Sequence, residues 1–110
     1  MSSVAYTVTA DFNDDVVAAE WLRWLREGHL AAVLEGGATT AEIVALDGPS
    51  LSCEVRYRFP SREAFVRYER EFAPDLRAEG LRLFPPERGV SYRRTVGVVL
   101  DSFAAGTNSL

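Results

Sequence analysis

His29 is the only histidine of the chain, and the only two tryptophans, Trp21 and Trp24, precede it within three turns of a helix. Histidine ordinarily titrates close to neutral pH, which suits acid–base work or haem ligation. The structural alternative is a histidine at a helix end, satisfying terminal carbonyls and favoured there by the helix dipole. Trp21 and Trp24, spaced by three, fit the core stripe of a helix on a sheet and equally the aromatic wall of a ligand site. Arg94 is a quieter anomaly. It shares strand parity with Tyr92, Val96 and Val98, which puts a guanidinium on the helix-facing side, where it needs a carboxylate or several acceptors. A bulge exchanging Arg93 and Arg94 would remove the anomaly. With parity intact, Arg94 near Tyr57 and His29 suits an anionic ligand such as a carboxylate. His29, Trp24, Tyr57 and Arg94 are therefore the candidate ligand-binding residues, and His29 is the candidate catalytic one. Tyr6, Tyr57, Tyr68 and Tyr92 all fall on predicted inward faces and are expected as four independent core residues; a shared polar patch is the alternative.

Other chemistry is discounted on residue type. One histidine and one cysteine cannot supply the nitrogen and sulfur ligands of a structural zinc site, so no metal is expected. Gly36-Gly37 lacks the pattern of a phosphate-binding loop, and no Gly-x-Ser-x-Gly nucleophile motif occurs. Cys53 sits mid-strand on an apolar face and reads as an inert small hydrophobe.

The elements that must position these residues follow from periodicity. Val4 to Phe12 alternates in strand fashion, with Val4, Tyr6, Val8, Ala10 and Phe12 on one face. Asn13-Asp14-Asp15 offers N-caps for a helix whose stripe is Val17, Trp21, Trp24, Leu25 and Gly28. Gly28 weakens that helix just before His29, with a short turn expected over Leu30 to Leu34 and a stop at Gly36-Gly37. Two strands, Thr39–Leu46 and Leu51–Phe59, flank a turn at Asp47-Gly48-Pro49-Ser50. The second places Leu51, Cys53, Val55, Tyr57 and Phe59 on one face, with Ser52, Glu54, Arg56 and Arg58 on the other; this argues for an antiparallel sheet with one buried face. Ser61 caps a helix carrying Phe65, Tyr68 and Phe72, and Ala73-Pro74 interrupts it and opens a second segment. Leu76, Gly80 and Leu83 are expected to face inward there, beside Arg77, Leu81 and Phe84. Pro85-Pro86 ends the segment, and Val90 to Leu100 is the last strand. The order strand, helix, strand, strand, helix, strand is α+β and ferredoxin-like, with helices on one face of a four-stranded antiparallel sheet.

At 110 residues the chain is expected to form one domain over 1–100, followed by a mobile tail over 101–110. A 47% hydrophobic and 25% charged composition is that of a globular protein. No apolar run approaches the roughly 20 residues that cross a bilayer, and the first residues lack the charged start and apolar core of a secretory signal. The single cysteine makes a reducing cytoplasm the expected compartment. Net charge of −4, with acids interleaved among twelve arginines and no lysine, excludes a nucleic-acid role.

Three stretches carry a resemblance: Trp21-Leu22-x-Trp24-Leu25-x-x-x-His29, then Tyr68 with Ala73-Pro74-x-Leu76-Arg77-x-Glu79, and Arg94-Thr95-Val96. On these the chain resembles a small, largely bacterial family, domain of unknown function 4286, related in fold to the dimeric α/β-barrel proteins. The family's usual proline two residues after the histidine is Ala31 here. The resemblance implies no established reaction. It implies a homodimer packed through sheet faces carrying Thr7, Thr9, Glu42, Glu54, Arg56, Arg58, Arg93 and Thr95. The leading expectation is a small cytoplasmic domain of uncharacterised function, with a helix–sheet pocket suited to a small, anionic ligand. Relatives of the fold imply a second reading, a cofactor-independent monooxygenase or a haem-binding or haem-degrading protein. A protein–protein interaction module using the charged sheet face is a third. No cofactor is expected, haem being the one group left open.

Overall fold

A computed structural model describes residues 2–106. Strand β1 (Val4–Phe12) leads into helix α1 (Asp15–Trp24), a π-helical turn (Leu25–His29) and α2 (Leu30–Glu35). Strands β2 (Thr40–Ala45) and β3 (Leu51–Phe59) follow, then α3 (Arg62–Glu71), α4 (Ala73–Leu83), a 3₁₀ turn (Pro86–Arg88) and β4 (Val90–Val98). The sheet order is β2-β3-β1-β4, antiparallel throughout. This is the ferredoxin-like arrangement read from the sequence. The 101–110 tail includes residues 107–110, which lie outside the described residues; 101–106 carry neither helix nor strand.

The expected caps form. Asp14 accepts from the Val16 N–H at 2.8 Å, and Ser61 accepts from the Ala64 N–H at 3.1 Å. The break before Pro74 falls at Phe72, which caps both flanking helices at φ −117°. Pro74 sits in the first turn of α4, where its missing N–H is tolerated. Strand β4 is two residues shorter than expected, and the Val99 N–H instead bonds the Ser3 carbonyl at 2.9 Å.

One expectation fails. The helix does not end at His29. Gly28 leaves helical geometry (φ 168°, ψ −29°), yet the turn widens into a π turn and the backbone continues into α2 as far as Glu35. The Leu30 N–H reaches back to the Leu25 carbonyl, so these groups are bonded within the helix and need no histidine cap.

Register settles which arginine faces the helices. Arg94 pairs with Val8 and Arg93 with Thr9, without a bulge. Arg94 thus shares the face of Tyr6, Val8 and Tyr57, while Arg93 shares the open face with Thr7, Thr9, Glu54 and Arg56. The core centres on Phe59, fully buried and packed on Phe65 and Tyr68 at centroid distances of 5.2 and 5.1 Å. A side chain of that size contributes about 1.5–3 kcal/mol on full burial.

Candidate functional site

Between the sheet and the helices lies a cavity of about 220 Å³. Its floor is Tyr6 and Val8 of β1, Val55 and Tyr57 of β3, and Tyr92 and Arg94 of β4. Trp21 and Trp24 of α1, Leu25 and His29 of the π turn, Tyr68 of α3, and Leu76, Arg77, Gly80 and Leu81 of α4 form its walls. All four candidate residues, His29, Trp24, Tyr57 and Arg94, line this one space. The cavity also explains why Val8, in the middle of β1, is only half-buried.

The tryptophans differ in role. Trp21 is buried against Phe12, centroids 5.3 Å apart, as a core residue should be. Trp24 is half-buried and stacks on the His29 ring at 4.1 Å with an interplanar angle of 25°. The pair separates the inner cavity from an outer groove of about 400 Å³, which it lines with Glu20, Arg23, Glu27 and Glu79. The π turn makes the stack possible: His29 is five positions after Trp24, too far along for one ordinary turn to align them on one face.

His29 is not poised at neutral pH. Burial pushes its pKa down to about 4, against a smaller opposing pull from Glu79. Its Nδ1 is buried without a partner. A buried orphan N–H is costlier than an under-used lone pair, so the proton belongs on Nε2 and the ring is a neutral donor.

The tyrosines are not four independent core residues. All four line the cavity. Tyr6 stacks on Tyr57 at 5.7 Å and lies 6.2 Å from Tyr68. Burial raises the pKa of Tyr57 well above the ordinary phenol value, helped by Tyr68 and Tyr6. Tyr68 is raised by burial and by Tyr6, with Arg77 and Arg94 pulling the other way. Tyr92, raised to about 12 by burial, donates to the Phe84 carbonyl at 3.0 Å.

Arg77 is the residue that sequence reasoning placed only beside the stripe. Its Nη2 donates to the Tyr6 hydroxyl at 3.3 Å and to the Glu69 carboxylate. Burial opposes its charge, yet these bonds win and raise its pKa. Arg77 is thereby neutralised within the protein. Arg94 makes no ion pair among the described residues, and its charge is near enough to act on the Tyr68 phenol. The signals for Arg77 were its place next to Leu76 on the inward stripe and its part in the Ala73-Pro74-x-Leu76-Arg77-x-Glu79 resemblance.

Cys53 is buried on the core face, and burial raises its thiol pKa, with Arg26 opposing more weakly. Among the described residues no group of three histidine, cysteine, aspartate or glutamate side chains is placed to hold a metal ion. A haem does not fit the cavity. Its 220 Å³ lies below the ~300–1,000 Å³ of ordinary small-molecule sites, and a tetrapyrrole belongs at the large end of that range. No described helix is long and apolar enough to cross a membrane.

Fold and site together define an α+β protein of ferredoxin-like fold with an aromatic cavity between its helices and sheet. Residues 3–99 match the family described as "Domain of unknown function (DUF4286)", and the chain belongs to that family. No curated protein sequence matches it. Among solved structures it is similar to a dimeric ferredoxin-like protein from an uncultured marine organism, with TM-score 0.71, 14% identity, and 94% of this chain and 100% of that one covered. It is also similar to SnoaB, a cofactor-independent oxygenase from Streptomyces nogalater (TM-score 0.68, 12% identity, 93% and 97% covered). A third similar structure is a Streptomyces coelicolor monooxygenase in complex with nanaomycin D (TM-score 0.70, 15% identity, 96% and 94% covered). At these identities the likeness is one of fold.

Proposed function

We propose that this protein binds a small anionic organic molecule in the helix–sheet cavity, with His29, Trp24, Tyr57 and Arg94 as ligand contacts. The observation that carries the reading is Arg94. Arg94 lines an aromatic cavity on the helix-facing side of the sheet, exposed to solvent and so reachable, and no carboxylate pairs with it among the described residues. A carboxylate or similar oxyanion is the natural complement of such a group. A panel of small carboxylates should raise the melting temperature by mass action, and Arg94→Ala should cancel the rise. An unchanged melting temperature across the panel at millimolar concentrations would remove the reading.

The homodimer belongs to the same proposal. The marine ferredoxin-like protein is described as dimeric, and the open sheet face here carries both signs of charge in register. Glu42 lies opposite Arg56, and Glu54 opposite Thr9, itself opposite Arg93. Such a face can pair with its own copy through opposite charges. A cytoplasmic location completes the reading, consistent with a single buried thiol. The monooxygenase reading draws on fold likeness, a weak warrant for reaction, and a histidine with a pKa of about 4 is a poor proton acceptor at neutral pH.

A further inference from the structure

We infer that the ligand class of this cavity is a single-ring aromatic carboxylate, of the size of benzoate and its singly substituted derivatives. The inference rests on the binding reading above and narrows it from three independent features: volume, wall chemistry and the sign of the polar groups.

Volume limits the body of the ligand. An apolar cavity of ~150 Å³ holds a benzene molecule. The 220 Å³ here seats one six-membered ring with its carboxylate, and the pocket opens to solvent beside the exposed Leu81 and Arg94. A fused two-ring system exceeds that space, so its second ring would project into solvent and gain less from the aromatic walls.

Wall chemistry selects a flat ring. One side of the cavity is the Trp24–His29 stack, and the Tyr6–Tyr57 stack lies in its floor. Two stacked pairs, with interplanar angles of 22° and 25°, line one small space and offer π surface that a planar aromatic ring matches and a puckered aliphatic ring does not.

The polar groups select an acceptor-bearing anion. Arg94 is a permanent donor that makes no ion pair among the described residues. The Tyr57 and Tyr68 phenols stay protonated, and the neutral His29 ring carries its proton on Nε2. A carboxylate supplies acceptors for several of these at once.

The test uses the whole chain and three probes matched in size: benzoate, cyclohexanecarboxylate (the same acid on a puckered ring) and benzamide (the same ring without the charge). Both tryptophans line the cavity, so intrinsic fluorescence reports occupancy directly, with calorimetry as the second readout. Benzoate is expected to bind at least tenfold more tightly than either analogue, and 2-naphthoate to bind more weakly than benzoate. Arg94→Met, at an exposed residue, should abolish the preference for benzoate over benzamide while far-UV circular dichroism stays unchanged. Equal affinity for benzoate and cyclohexanecarboxylate would overturn the aromatic class and leave the anion-binding reading standing. Tighter binding of 2-naphthoate would overturn the single-ring limit. Benzamide binding as well as benzoate, or no carboxylate binding at all, would overturn both. Because the probe comparison is made on the unaltered protein, the result does not depend on any variant folding.

Discussion

His29 illustrates how burial reverses what a residue type suggests. An exposed imidazole titrates near 6.5, whereas this one is held to about 4 by desolvation. The unfolded chain therefore takes up a proton that the folded protein refuses between those values. Stability is unaffected above pH 6.5, falls as the pH drops towards 4, and loses nothing further from this group below that. The slope in the window is at most about 1.4 kcal/mol per pH unit. His29→Phe keeps the stack on Trp24 and removes the titration, so the stability difference between variant and parent should grow in favour of the variant from pH 6.5 to 4. Chemical denaturation across that range measures it. Proton NMR of the single imidazole should give a midpoint near 4; a midpoint above 6 would show that the ring is solvated. Arg77 and Arg94 make the complementary point. Both side chains line one cavity; Arg77 is held by Tyr6 and Glu69 through Nη2, while Arg94 makes no ion pair among the described residues.

At the level of elements, two glycines separate tight packing from cavity lining. Gly36 caps α2 where it meets α3, and a Cβ there would lie 3.0 Å from both Phe72 Cγ and Tyr68 Cδ1. Tyr68 is buried in the core and Phe72 packs half-buried against it, so Gly36→Ala should destabilise by about 1–3 kcal/mol. Gly80, inside α4, faces the edge of the half-buried Trp24 at 3.3 Å, where the indole can shift into the cavity. Gly80→Ala should be near neutral, because up to ~1 kcal/mol of helix propensity offsets the crowding. Parallel denaturation curves of the two variants would check the contrast. Phe59→Ala, at the fully buried centre of β3, sets the scale at about 3–5 kcal/mol lost, read as a fall in denaturation midpoint. The π turn belongs to this scale as well. Gly28 and the wider turn bring His29 under Trp24, which an uninterrupted α-helix would not do.

The whole molecule presents two unlike faces. Helices cover one side of the sheet, and the other carries Arg56, Arg58 and Arg93 among Glu42, Glu54 and threonines. Arg56 and Glu54 pair within the chain at 2.8 Å, a surface interaction worth under about 1 kcal/mol, so the fold does not depend on them. If two copies meet through this face, replacing Arg56 and Arg58 together by glutamate leaves it predominantly acidic. The dimer should then dissociate with secondary structure intact. Size-exclusion chromatography with light scattering decides the matter, and a parent protein already monomeric at micromolar concentration would sink the dimer. The helix-facing side of β4 is less covered: Val96 and Val98 are 45% and 44% exposed. The core thus thins from Phe59 towards the edge strand on which Arg94 sits.

Much of this architecture was legible in the amino-acid order. Alternation in β1 and β3 assigned faces, Asp14 and Ser61 marked helix starts, and parity alone put Arg94 on the inner side of the sheet. Strand pairing and helical periodicity are local, repeating rules, so a short window of sequence reports them. The sequence also pointed to His29 and Arg94, a titratable ring near a helix break and a charge on an inward face, with the aromatic Trp24 and Tyr57 beside them. What it did not report was depth. Whether Trp24 is core or wall, whether four tyrosines are separate or joined, and whether Arg77 or Arg94 carries the uncompensated charge depend on how far α4 stands from β1 and β3. That spacing is set by rings far apart in the chain, Phe12 against Trp21 and Phe59 against Phe65 and Tyr68. Periodicity determines which way a side chain points; only the packed tertiary structure decides whether it meets another side chain or an open cavity.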